Sequence, residues 1–263
     1  MNISIKKLFY REPSLNEKIN QFIIKYKNKP IPLRESVFKP EILIPCYNHG
    51  RYLPGLVNNV YEKKLPITII NDNSNDHTED VIMNLQQTYE FKYIKNSETL
   101  LQSGSLNRAI AESDNNMFIV VNADDFLVPK WIDYAVKSFE FSDIRMFGGT
   151  NVSFKNVFFE TELFVSEMIK SITYLPASPF KVFGPDDAVH FGTDNAIDMT
   201  MSGCTFLKSA WEFVDGFYCR NSRVSIHDDR DFQMRVCSFF NIGISSEICA
   251  FWRSDSSHGM GVL

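Results

Sequence analysis

Two adjacent carboxylates, Asp124 and Asp125, follow the apolar run 117–121, separated from it by Asn122 and Ala123. Hard oxygen groups of this kind bind Mg²⁺ or Mn²⁺. Residues 118–121 carry no polar break, the pattern of a strand buried on both faces. Open α/β sheets present ligands at the carboxyl ends of such strands. The other reading is structural: Pro129 opens a predicted helix, and carboxylates just ahead of a helix serve as caps.

The elements that must position these groups read as a repeat. Strands are predicted at 41–45, 67–70, 91–94 and 117–121, with helices at 51–63, about 76–88 and 103–112 between them. Such βα alternation implies a parallel sheet with right-handed crossovers. Its polar turns then share one rim, gathering Asp72, Asp76, Asn122, Asp124 and Asp125. A helix is predicted at 130–141 and strand-rich sequence at 145–159. Residues 160–197 read as a helical stretch and then a long irregular segment, which suits a functional loop or lid. A strand at 199–207, a short helix at 208–214, a helix at 227–239 and a last strand at 248–252 complete the chain. Asp228, Asp229 and Asp231 fall in the first turn of the late helix, where the helix dipole alone favours them.

The 263 residues suffice for one α/β domain, and 44% hydrophobic with 22% charged residues is a globular composition. Residues 1–40 hold nine Lys or Arg against three Asp or Glu, leaving 18 basic and 29 acidic residues in the rest. An acidic body argues against nucleic-acid binding and suits a site that recruits a cation. Leu15, Ile19, Phe22, Ile23 and Tyr26 recur at helical spacing beside Lys18, Lys25 and Lys27. This is either a helix packed on the domain's flank or a basic amphipathic segment for peripheral contact with an anionic membrane. No apolar run is long enough for a membrane helix, and no secretory leader is expected. Five scattered cysteines without a CxxC pair imply reduced thiols and a cytoplasmic location. Neither a dinucleotide fingerprint, a P-loop nor a GxSxG elbow is present.

Four short motifs in order resemble the signature of family 2 glycosyltransferases with the GT-A fold. They are Pro45-Cys-Tyr47-Asn48; Asn71-Asp72-Asn-Ser-Asn-Asp76; Asn122-Ala123-Asp124-Asp125; and Asp228-Asp229-Arg-Asp231 with Arg235. The likeness runs from about residue 40 to 255. It implies a single α/β GT-A domain at 41–263, a mostly parallel sheet flanked by helices, behind a basic extension at 1–40. Residues 41–128 would form the nucleotide-sugar half and 129–263 the acceptor side. The implied reaction is inverting transfer of a sugar from a nucleotide diphosphate donor, UDP-sugar favoured, to a glycan or lipid-linked acceptor, in surface polysaccharide or glycoconjugate synthesis.

The resemblance also implies roles. Asp124 holds Mn²⁺ or Mg²⁺, with Asp125 beside it, and Asp72 accepts an N–H from the base ring. Pro45, Tyr47 and Asn48 line the base pocket, and Arg108, Asn122 and Ala123 contact the donor. Asp229, with Asp228 in the preceding motif position, deprotonates the acceptor. Arg253 pairs with the diphosphate, and His258 in the polar tail adds a metal contact. Asn71 and Asn122 depart from the family's aspartates. Two rival readings are a sugar nucleotidyltransferase, disfavoured by the Pro-Cys-Tyr-Asn-His-Gly turn, and a non-catalytic carbohydrate-binding protein that kept the fold.

Overall fold

The computed structural model describes residues 14–155, 159–174, 179–190, 199–217 and 228–255. The chain enters through helix α1 (Leu15–Tyr26) and then alternates β1 (Pro40–Cys46), α2 (Leu53–Tyr61), β2 (Ile67–Asn71), α3 (Thr78–Leu85), β3 (Lys92–Lys95), α4 (Leu101–Ala111) and β4 (Met117–Val120). The expected repeat is therefore present. β1 lies between β2 and β4, with β3 outside β2, and all four run parallel. Every residue of β2 and β4 is buried. That explains their unbroken apolar runs, since helices cover both faces of the sheet.

The second half adds β5 (Phe126–Leu127), α5 (Pro129–Phe141), β6 (Met146–Phe154), α6 (Phe159–Ser171), β7 (Phe180–Phe183), β8 (Thr205–Leu207), α7 (Lys208–Phe213), α8 (Asp228–Cys237) and β9 (Ile242–Arg253). The sheet order is β3-β2-β1-β4-β8-β6-β9-β5, with β7 also on β9. β8 is antiparallel to both β4 and β6, whereas β6 and β9 run parallel.

Three expectations need correction here. The strand predicted at 199–207 is confined to Thr205–Leu207, because the chain turns over the end of β4. There Gly203 holds φ +89 and donates its N–H to Val120 O at 2.8 Å. Within the irregular stretch lies β7, hidden from a periodicity reading because it is short and bounded by Pro179 and Gly184. β9 begins at Ile242, six residues before the strand predicted at 248–252, and register shifts near Thr150 of β6 accommodate its polar middle.

Helix α1 realises the flank-packing reading. Ser14 and Glu17 form a capping box, and Ile19, Phe22 and Tyr26 are buried. Phe22 packs 4.5 Å from the Tyr26 ring and 5.7 Å from Phe239. Lys29 Nζ donates to Phe213 O at 2.6 Å and Glu212 O at 3.0 Å, at the carboxyl end of α7 where a cation is favoured. One core cluster joins α1, α4, α7 and α8 on one face of the sheet; a second joins α2, α3 and α5 on the other. Burial pushes the thiols of Cys46, Cys237 and Cys249 up to about 12, so they pack as small apolar groups.

Phe22→Ala should lower the unfolding free energy by about 3–5 kcal/mol, read from urea denaturation. An unchanged midpoint would remove α1 from the cooperative core.

Candidate active site

Cys46, Asn71 and Lys95 are register partners in parallel strands, so the turns that follow them open on one rim. Pro45 is buried in β1 opposite Ile70, and Tyr47 is half-buried just beyond it. Asn48 adopts φ 55 and stitches the first two turns together. Its N–H donates to Ser74 Oγ at 3.0 Å, and its Oδ1 accepts from Asn75 N at 2.9 Å. Gly50 donates to Thr78 Oγ1 at 2.9 Å, and a Cβ there would lie 2.5 Å from Thr78 Cα. Only glycine permits that approach.

Asp72 is 3% exposed, and its Oδ1 accepts from Asn96 Nδ2 and Leu100 N, both at 2.8 Å. Its Oδ2 has no hydrogen bond among the described residues. Asn96 Oδ1 in turn accepts from Arg108 Nη1 at 2.8 Å, and Arg108 Nε meets Glu112 at 2.9 Å. Arg108 thus stands one residue behind Asp72, bracing it through Asn96. Asn71, fully buried, accepts from Ser74 N and donates to the Tyr93 hydroxyl at 3.2 Å. An aspartate cannot make that donation when ionised. A neutral amide also avoids the cost of an ionised carboxylate at this fully buried position.

The Asn122–Asp125 turn is held from three sides. Asn122 N donates to Ser202 Oγ at 3.0 Å, and Asn122 Oδ1 accepts from Gln102 Nε2 at 2.6 Å. Asp125 is 2% exposed; its Oδ2 accepts from Ser202 Oγ at 2.5 Å and its Oδ1 from Arg253 N at 3.1 Å. With both oxygens so engaged, Asp125 braces the turn from beneath. Burial, and then the charge of Asp124, push its carboxyl up to about 7. Asp124 keeps a side chain 8% exposed, with Oδ1 3.7 Å from His49 Nδ1. Neither residue caps α5: β5 intervenes, and the cap position is Val128. Ala123 is buried beside them.

Arg253, at the end of β9, donates from Nε to Asp124 O at 3.1 Å. Its guanidinium lies 4.3 Å from the Tyr52 ring centre and 4.8 Å from Phe154. It is 1% exposed, so it is built into the wall of the rim.

The late helix is brought to the same place by two consecutive side chains of α4. Gln102 reaches Asn122, and Ser103 Oγ donates to Asp228 Oδ2 at 2.7 Å. The preceding residue, Leu101, takes φ 61, an unusual conformation for a bulky side chain. Asp229 is half-buried and its Oδ1 accepts from Arg230 N at 2.7 Å. Asp231 points the other way, fully buried against Arg235 Nε at 2.8 Å. His258 lies outside the described residues. Asn96, Gln102, Ser103, Ser202 and His49 are contributors that the motifs did not single out.

The described residues contain no group of three or more His, Cys, Asp or Glu placed to hold a metal. The donor set still fits a hard divalent ion of the type that takes most ligands from phosphates and water. Asp124 would supply the protein carboxylate on the rim. A separate cavity of about 820 Å³ opens at the opposite end of the sheet, lined by Glu41, Thr68, Lys92 and Asn115 among others. There Glu41 is buried and accepts from Thr68, Ser113 and Asn115, so its charge is already satisfied.

Residues 41–188 match the family model described as Glycosyl transferase family 2. Over 102 residues the chain is 28% identical to the poly-beta-1,6-N-acetyl-D-glucosamine synthase of Staphylococcus aureus, covering 37% of this chain and 24% of that protein. It thus spans about a quarter of that relative's length. Among solved structures it resembles a mannosyltransferase from Pyrobaculum calidifontis in complex with GDP-Man and Mn²⁺, with TM-score 0.59 and 13% identity over 90% of this chain and 65% of that one. It also resembles S. aureus TarS 1–349 in complex with UDP-GlcNAc, with TM-score 0.61 and 12% identity over 86% and 61%. At such identities the likeness is one of fold.

The raised carboxyl of Asp125 predicts a pH dependence. Between its ordinary value and about 7 the folded state binds more protons than the unfolded one, so stability falls as pH rises through that window. In metal-free buffer, unfolding free energy should decline from about pH 4 to pH 7, and Asp125→Asn should flatten the decline. Parallel slopes for the two proteins would assign the effect elsewhere.

Proposed function

We propose a sugar-transfer reaction for this chain, which belongs to glycosyl transferase family 2 and has the GT-A fold. The donor is a nucleotide diphosphate sugar, UDP-sugar favoured, and the acceptor is a glycan or lipid-linked glycan hydroxyl. The reading draws support from the ligands of proteins that share the fold: UDP-GlcNAc in TarS and GDP-Man with Mn²⁺ in the mannosyltransferase. The observation that carries it is the pair Gln102 and Ser103. They tie Asn122, beside Asp124, to Asp228, beside Asp229.

In this reading the base ring rests by Pro45, Tyr47 and Asn48, and Asp72 Oδ2 accepts a ring N–H. Asn122 and Ala123 border the ribose and diphosphate, and Asp124 holds Mn²⁺ or Mg²⁺. When bound, the ion supplies Lewis-acid neutralisation of the leaving diphosphate. Asp125 and Arg108 act by holding Asp124 and Asp72 in place. Arg253 fixes the turn and faces the diphosphate from the wall, and His258 joins from the tail. Asp229 accepts the proton of the acceptor hydroxyl, whose oxygen attacks the anomeric carbon. The bond from that carbon to phosphate oxygen breaks and the nucleoside diphosphate leaves, so the configuration inverts. Buried, unpaired thiols among the described residues support a cytoplasmic setting. Polysaccharide or glycoconjugate synthesis is the role that fits these substrates.

Asp229→Asn should slow transfer by about 10²–10⁴-fold while donor affinity, read by calorimetry, stays within about twofold. Near-normal turnover would remove Asp229 as the base. For the metal, donor with Mn²⁺ should raise the melting temperature of the wild type, and Asp124→Ala should lose that gain. Equal stabilisation of the wild type by donor with and without Mn²⁺ would overturn the metal assignment.

A further inference from the structure

The end of the sheet opposite the rim carries an exposed apolar face. Leu33 is 92% exposed, Phe141 84%, Val37 67% and Ile31 55%. Large apolar side chains gathered on one exposed surface are the kind of patch that interaction sites use. The face is built, not frayed. Arg34 Nη2 donates to Ser142 O at 2.9 Å, which sets Leu33 beside the end of α5 where Phe141 stands. Arg145 Nη2 fixes Pro32 O at 3.1 Å, and Asn116 Nδ2 fixes Val37 O at 2.9 Å. Phe38 anchors the segment from below, 5.9 Å from the Phe139 ring.

Charge on this face runs against the rest of the chain. The whole chain is −5, yet residues 24–40 carry five Lys or Arg and one acidic residue, Glu35. Glu35 turns inward to Ser209 and Arg145. Lys25, Lys27 and Lys39 are exposed. Lys137 lies four residues before Phe141 in α5 and so shares its side of the helix. Glu140 and Asp143 are the acidic residues flanking Phe141 in sequence, and Arg34 stands 3.8 Å from Asp143. Meanwhile α1 commits its apolar stripe to the core, so the amphipathic helix is not the surface available.

We propose that the face formed by Ile31, Leu33, Val37 and Phe141, flanked by Lys27, Lys39 and Lys137, docks this chain peripherally on an anionic lipid bilayer. Apolar side chains enter the headgroup boundary while lysines meet the lipid phosphates, a pairing weakened by salt. The proposal does not rest on the donor chemistry, which lies at the other end of the sheet.

The test is co-sedimentation of the full chain with vesicles of phosphatidylcholine alone and of phosphatidylcholine mixed equally with phosphatidylglycerol. The protein should bind the mixed vesicles, release at high salt, and leave the neutral vesicles in the supernatant. The double substitution Leu33→Ser and Phe141→Ser should lower partitioning at least about tenfold. Its melting temperature and donor-induced shift should match the wild type, because both positions are exposed and remote from the rim. Equal binding of wild type and double variant, or no wild-type binding to mixed vesicles, would overturn the proposal. So would a dimer in sedimentation velocity that the double variant dissolves, since a second copy would then cover this face.

Discussion

The rim depends on one buried carboxylate. Asp125 joins three strands that lie far apart in sequence: it follows β4, accepts the Ser202 hydroxyl from the turn ahead of β8, and accepts the Arg253 N–H at the end of β9. A charge with 2% exposure is costly unless such donors surround it. The donors in turn fix where Asp124 points. The more open carboxylate of Asp124 is thus set in place by a neighbour that is itself sequestered.

A second constraint is the division of labour between the ends of the parallel strands. Carboxylates and amides gather at the carboxyl ends, as the geometry of open α/β sheets favours. The amino ends hold the satisfied Glu41 and the lysine-flanked apolar face. The charge asymmetry visible along the chain becomes an asymmetry in space: a basic segment at one end and an acidic rim at the other.

Much of this was legible in the sequence, for identifiable reasons. β1, β2 and β4 are buried on both faces, so their unbroken apolar runs announced them. Asp72 and Asp124 stood out through the motifs around them. Asn96, Gln102, Ser103 and Ser202 did not, because single polar side chains gain meaning only when tertiary contacts supply a partner. The two asparagines that departed from the family pattern could not be judged from sequence. Asn71 became intelligible from its full burial beside Tyr93, where an ionised carboxylate is costly, and Asn122 from the amide it turns toward Asp125 Oδ2 at 3.4 Å, where a second carboxylate would repel. β8 and β9 were misjudged at their boundaries because Gly203 and the polar middle of β9 interrupt or disguise the strand pattern.

β9 lies far in sequence from the four parallel strands, with a consequence for how the rim comes into being. A ribosome releases the four parallel strands and the Asp124–Asp125 pair long before Ser202 and Arg253 emerge. Until then Asp125 lacks the hydroxyl and the amide that satisfy it, and it stays hydrated with its turn unfixed. The nascent amino-terminal half therefore holds the motif without its architecture. The turn that carries Asp124 gains its fixed geometry only when the strand that carries Arg253 pairs into the sheet.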